Sequence, residues 1–204
     1  MTVTIDRIEE HAVGVSWVVD EAMNRTSHAV LADGRVWLND PVDHPDAMER
    51  VAALGPPAAV VQLLDRHNRD CAQIAGRLQI PHLRVPDAVD NSPFQAIPIV
   101  RIPRWRETSL WWEQERVLLV AEALGTAETF TTGHGAVGMH PVLRPRPPGG
   151  LRGYEPEHLL VGHGAPVHGD DAREGVKWAY DHARSDLVRL PLAFVRMALA
   201  QRRG

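Results

Sequence analysis

With one cysteine, Cys71, in 204 residues, the chain cannot close an internal disulfide. Its stability has to come from packing, which 44% hydrophobic residues at this length can supply in one domain, expected to span residues 1–204. Long apolar runs are also missing: none approaches the roughly 18 uncharged residues that cross a bilayer. The first twenty positions mix Asp6, Arg7, Glu9 and Glu10 with short apolar stretches, unlike a signal peptide. A cytoplasmic protein that avoids membranes is the expectation. Positive charge is not in excess, with 22 Lys and Arg against 26 Asp and Glu and a formal charge of -4, so nucleic acid is not an expected partner. No Gly-x-Ser-x-Gly elbow is present to anchor a serine nucleophile. Gly133, Gly135 and Gly138 lack the Gly-Lys-Ser/Thr ending of a phosphate loop. Repeats are absent. Phenylalanine is scarce, at three residues, and six tryptophans take over as aromatic packing residues.

What is present reads first as a meander. Val13 to Val19 is β-rich, and His28 to Ala32 joins Arg35 to Leu38 through the tight-turn pair Asp33-Gly34. Pro45 opens a helix in which Met48, Val51, Ala52 and Leu54 recur at helical spacing until Gly55 and two prolines end it. Ala58 to Leu64 is apolar on both faces, as a strand covered on both sides should be. A polar loop, Asp65 to Arg69, leads to a second helix over Asp70 to Leu78, with Asp70 as its expected cap. Ile97 to Ile102, Ser109 to Trp112 and Arg116 to Val120 form further strands, the last two folding about Glu113-Gln114-Glu115, and Leu159 to Val161 a short one. Residues 131–150, dense in Gly, Pro and Arg, form a long irregular connection. From Asp170 onward the spacing is helical, with an interruption expected at Pro191. The last helix, Leu187 to Arg203, is expected to pack Leu190, Phe194 and Met197 onto the core. This order suits a sheet-on-sheet core with helices outside.

The run Trp37-Leu38-Asn39-Asp40-Pro41, followed by helix, apolar strand, polar loop and helix, resembles the opening half of the metallo-β-lactamase-fold hydrolases. Leu160-Val161-Gly162-His163-Gly164-Ala165-Pro166 is similar to their closing Gly-His-Gly loop, and Arg116 to Leu124 to the strand that carries their metal-bridging Asp. The resemblance implies a four-layer αββα sandwich with a metal groove at one edge, and it covers most of the chain. It also implies a degenerate groove. Where the family has a His-x-His-x-Asp-His loop, this chain offers Arg66, Asn68, Asp70 and Cys71; the later histidine becomes Trp105, the bridging Asp becomes Glu122, and the last histidine survives as His163. A shift of one residue places His67 on a histidine position instead.

Arg66, Asn68 and Trp105 are poor ligands, because guanidinium keeps its proton and indole has no lone pair to give, so the first family metal is not expected. Asp70, Cys71, Glu122 and His163 can all bind zinc when deprotonated. Two readings follow. In one, no cofactor is bound, Arg66 or Arg69 pairs with a carboxylate, and the altered groove takes a small ligand or a partner protein. In the other, one zinc is held and the protein hydrolyses an ester, thioester, amide or phosphoester. Weaker candidates are a Cys71–His67 nucleophile and base, a place for His134 on the groove rim, and a partner surface at Arg144 and Arg146. His140, His158 and His168 match no ligand spacing and read as surface or loop residues.

Overall fold

A computed structural model describes the backbone of residues 3–201 and the side chains of residues 3–196. The first sheet has six strands in spatial order β1 to β6: β1 (Ile5–His11), β2 (Gly14–Val19), β3 (Thr26–Ala32), β4 (Arg35–Asn39), β5 (Pro57–Gln62) and β6 (His82–Arg84). The first four run antiparallel, and β4, β5 and β6 run parallel because helices α1 (Pro45–Leu54) and α2 (Cys71–Leu78) make the crossovers. Strands β7 (Phe94–Ile102), β8 (Trp105–Trp112) and β9 (Val117–Val120) follow as an antiparallel meander. After the small pair β10 (Leu124–Gly125) and β11 (Gly138–Met139), with α3 (Glu128–Thr131) between them, the chain returns as β12 (His158–Val161) parallel to β9. Strand β13 (Val167–His168) then completes a second sheet ordered β13-β12-β9-β8-β7, and helices α4 (Asp170–His182) and α5 (Leu190–Gln201) close the described chain.

Side-chain alternation assigns the layers. In β4, Trp37 points into the core between the sheets, whereas Val36 and Leu38 face a second core under α1 and α2. In β9, Val117 and Leu119 face between the sheets and Leu118 and Val120 face a third core under α4. Period-two alternation thus builds four layers, helices outside and two sheets within. Both central strands are apolar on both faces for that reason.

One strand was not anticipated, and two expectations are corrected. Strand β1 is polar (Ile5-Asp6-Arg7-Ile8-Glu9-Glu10-His11) and lies at a sheet edge, so hydrophobic alternation did not announce it. Pro191 falls in the first turn of α5, where a missing N–H costs nothing, so it starts a helix and does not break one. Phe194 is 47% exposed, and among the described side chains of that helix Ala193 is the buried one; the side chain of Met197 and the whole of Arg203 lie outside the described residues.

Candidate functional site

Four strand ends converge on one edge of the sandwich. The C-terminal ends of the parallel pairs β4–β5 and β9–β12 deliver Asp40, the loop carrying His67, then Glu122 and His163. Crevices beyond the carboxyl ends of parallel strands are where open α/β sheets leave backbone groups and loops free for ligands.

Asp40 is buried, and both its carboxylate oxygens are committed. Oδ1 accepts from Leu63 N–H at 3.0 Å, and Oδ2 lies 2.9 Å from His67 Nδ1. A carboxylate there assigns the proton of His67 to Nδ1 and leaves Nε2 as a lone pair. His163 is fixed in the same sense. Its Nδ1 is 2.9 Å from the carbonyl oxygen of Met23, which can only accept, so Nε2 is again a bare lone pair; it is buried and has no hydrogen-bond partner. Burial lowers the pKa of His163, aided by His67 and Arg69, and burial followed by Arg69 lowers that of His67, so both imidazoles are neutral at pH 7. With Glu122 they form a trio whose ligand atoms lie within 4.8 Å of one another, the only such group among the described residues.

Glu122 is divided between two neighbours. Oε2 accepts from Arg66, and Oε1 lies 3.9 Å from His140 Nε2 and 4.0 Å from His163 Nε2 without a hydrogen bond to either. Its backbone is held from below: the N–H groups of Glu122 and Ala123 donate to Oε1 of Glu107 at 2.9 and 2.8 Å. Glu107 also accepts from Trp105 Nε1, and full burial pushes its carboxyl up to about 7 against those three donors. Arg66 stacks its guanidinium 4.6 Å above the Trp105 ring, and Trp105 meets His140 edge-on at 4.9 Å. Phe130 lies nearly parallel to His163 at 5.5 Å and closes the apolar wall.

Glycines permit this closeness. A Cβ on Gly162 would fall 2.2 Å from the carbonyl oxygen of Ala121, and one on Gly164, at φ 92°, would fall 2.3 Å from Ala127 N. A larger residue at position 162 would push the end of β12 from that of β9, and one at position 164 would push the loop from Thr126 and Ala127.

Several expected site residues are elsewhere. Asp70 turns its carboxylate to the backbone N–H of Asp43 at 2.8 Å, does not cap α2 with its side chain, and is not in the trio. Cys71 faces the core under α1 and α2, donates weakly to the carbonyl oxygen of His67 at 3.6 Å, and has its thiol pKa raised by burial. Asp70 and Cys71 thus lie outside the trio, which contains His67, and burial keeps the Cys71 thiol protonated and a poor nucleophile. Asn68 is exposed, with only its contact to Gln62 at 3.4 Å. Trp105 does line the groove. His134 turns to Asp186, Trp178 and His182 and not to the groove. Of the two arginines expected at a partner surface, Arg144 is fully buried and donates to the carbonyl oxygens of Met139 and Phe130, shaping the loop over the site, whereas Arg146 is exposed. Asp40 was noted only within the Trp37–Pro41 run and given no role, His140 was expected at the surface or in a loop, and Glu107 was not singled out.

No protein-family model matches this sequence, and no curated protein matches it. Comparison with solved structures gives a different result. The DIM-1 metallo-β-lactamase exposed to ceftazidime superposes with a TM-score of 0.58 at 11% identity, over 91% of this chain and 99% of that one. The chain adopts the metallo-β-lactamase fold. A metallo-β-lactamase from Erythrobacter litoralis shares this fold at 10% identity, TM-score 0.54, over 90% of this chain and 96% of its own. So does the chemotaxis sensor ODP, solved as a peroxy diiron species, at 11% identity and TM-score 0.51 over 85% and 94%. At such identities the metallo-β-lactamase fold is what is shared, and a fold does not fix a reaction.

Proposed function

We propose that the groove holds one divalent metal on His67 Nε2, His163 Nε2 and Glu122 Oε1, and that the protein is a mononuclear metal-dependent hydrolase. The observation that carries this reading is the bare, buried Nε2 of His163 beside the equally unprotonated Nε2 of His67. The buried lone pair of His163 Nε2 is costly to leave unsatisfied, and a cation there would satisfy it together with His67 Nε2 and Glu122 Oε1, which have no donor among them. The outer hydrogen bonds, Asp40 to His67 and Met23 to His163, are those that orient metal-ligating imidazoles. Two imidazoles and a carboxylate suit zinc, and the same donor set accepts iron(II). Such an ion, when bound, supplies Lewis-acid polarisation and acidifies water for attack on an acyl or phosphoryl centre.

The chain's own residues supply the rest. Arg66, half exposed and stacked on Trp105, presents a fixed positive charge beside Glu122, suited to an anionic substrate group or to a developing oxyanion. It stands in place of a second metal and leaves Glu122 only one free oxygen. Phe130 and Trp105 shield the histidines from water.

The competing reading, a binding groove without turnover, is favoured by one observation: Arg66 already neutralises Glu122. Metal content and hydrolysis of ester, thioester, amide and phosphoester substrates separate the two. The expected result is one equivalent of metal lost in both His67→Ala and His163→Ala, together with turnover of one substrate class. Metal content unchanged in both variants would sink the metal site. Bound metal without any turnover would leave the binding groove.

A further inference from the structure

A second cluster of imidazoles lies where β1 and β2 of the first sheet meet β12 and β13 of the second. It runs along β12 away from the groove, from His28, bonded to the Val161 carbonyl two residues before His163, out to His158, five residues before it. Hydrogen bonds fix its protons one after another. His28 Nε2 is 2.9 Å from the carbonyl oxygen of Val161, which only accepts, so Nε2 carries the proton. His28 is fully buried, and desolvation pushes its pKa down to about 3, so at pH 7 its Nδ1 is a lone pair. Ser16 Oγ, 2.7 Å away, must donate its single proton to that Nδ1. The same oxygen can then only accept from His11 Nε2, at 2.9 Å. Hence His11 Nδ1 carries no proton, and it is buried with no hydrogen-bond partner.

His168 completes the arrangement from the other sheet. Its ring centroid is 5.1 Å from that of His11, and its Nδ1 is 2.8 Å from His158 Nδ1. Its Nε2 is buried without a hydrogen bond, with Glu9 Oε1 at 3.7 Å. Glu9 and His11 stand two positions apart on β1 and share one face. Two imidazoles therefore each have one nitrogen tied to an orienting partner and the other free, beside a carboxylate. Burial, then His168 and His158, push the His11 pKa down to about 4, which keeps it in the ligating form at neutral pH.

We propose that His11 Nδ1, His168 Nε2 and Glu9 form a second divalent-cation site, of the zinc, copper or nickel class, oriented by Ser16 and His158. On binding, His168 donates its Nδ1–H to His158 and turns an unprotonated Nε2 to the ion. The ligand atoms are more open than those of the groove trio, so the partly exposed Glu9 side chain rotates inward to close the site. The assignment is independent of the groove and of any activity there.

The test is zinc titration by calorimetry of the chelator-treated full chain, with folding checked by circular dichroism. His11→Gln keeps a donor near Ser16 but removes the ligating nitrogen, and His168→Asn keeps a partner for His158. The expected result is one equivalent of zinc retained by His163→Ala, and weakened at least about tenfold when either substitution is added. In the otherwise unaltered chain the same two substitutions remove one equivalent and leave the groove's. Folded His163→Ala that binds no zinc, or an unchanged isotherm in both His11→Gln and His168→Asn, overturns the site. Loss of the groove equivalent alone concerns only the preceding proposal.

Discussion

Glu107 is the residue on which the groove's backbone rests. Its two oxygens receive three N–H donors, from Glu122, Ala123 and Trp105, and nothing in that cage accepts a proton. Glu107→Gln keeps the shape but sets an amide N–H against one of those donors. A loss of about 1–3 kcal/mol in urea unfolding is expected, with weaker metal retention because Glu122 loses its anchor. Wild-type stability in that variant would show that the cage is not needed. Cys71 gives a second prediction at this scale: a buried thiol with a raised pKa resists iodoacetamide at pH 8 while the protein is folded, and reacts once urea is added. Fast labelling of the native protein would contradict the packing described. Glu122 and His163 were singled out through the family resemblance, and the pairing of Arg66 with a carboxylate through its charge. His67 was legible only as a neighbour, and His140 not at all, because it comes from an irregular connection whose course depends on Arg144 being buried beneath it.

Elements were read well where both faces are covered and poorly at edges. The apolar runs of β5 and β9 leave one assignment, since a strand sandwiched between two layers needs no polar face. The edge strand β1 has a charged sequence that alone would suit a loop, and it pairs because β2 offers it an unpaired edge. Helix α2 shows the same dependence on context. Asp70 occupies its N-cap position but makes no side-chain cap bond, because the α1 entrance claims that carboxylate through Asp43 N–H. The junction after β12 carries the prediction for this scale. Gly162→Ala places a methyl group 2.2 Å from Ala121 O and 3.2 Å from His67 Cε1. It should cost about 1–3 kcal/mol of stability and displace His67 and His163 relative to each other. Unaltered unfolding and unaltered metal affinity would show that the strand end has more room than these contacts allow.

For the whole molecule, buried neutral imidazoles set the response to acid. In His28 and His11 the folded pKa lies near 3 and 4, below the unfolded value of 6.5, and His163 is shifted in the same direction. The unfolded chain therefore binds protons first as pH falls below 6.5, and stability is lost progressively toward the folded pKa values. Glu107 works the other way, its folded pKa near 7 exceeding the unfolded 4.5, so it gains relative stability over that interval. Three imidazoles outweigh one carboxylate. The urea midpoint of metal-free protein should fall between pH 7 and pH 4.5, and a flat or rising midpoint would be inconsistent with these burials. Bound metal steepens the loss, since protons and cations compete for the same nitrogens.

The sequence by itself determined the layers: alternation in the strands, apolar spacing in the helices and the turn residues between them are local properties that each segment carries alone. The resemblance to the metallo-β-lactamase fold, carried by two short runs of sequence, pointed to Glu122 and His163 beyond strand ends. Only the tertiary structure decided which side chains complete the groove, because His67, Asp40 and His140 come from separate loops and Glu107 from strand β8, and their meeting depends on both sheets closing together. The same closure set Asp70 and Cys71 aside and brought His11 to His168 across the sandwich. Long-range convergence of this kind leaves no periodic trace along a chain.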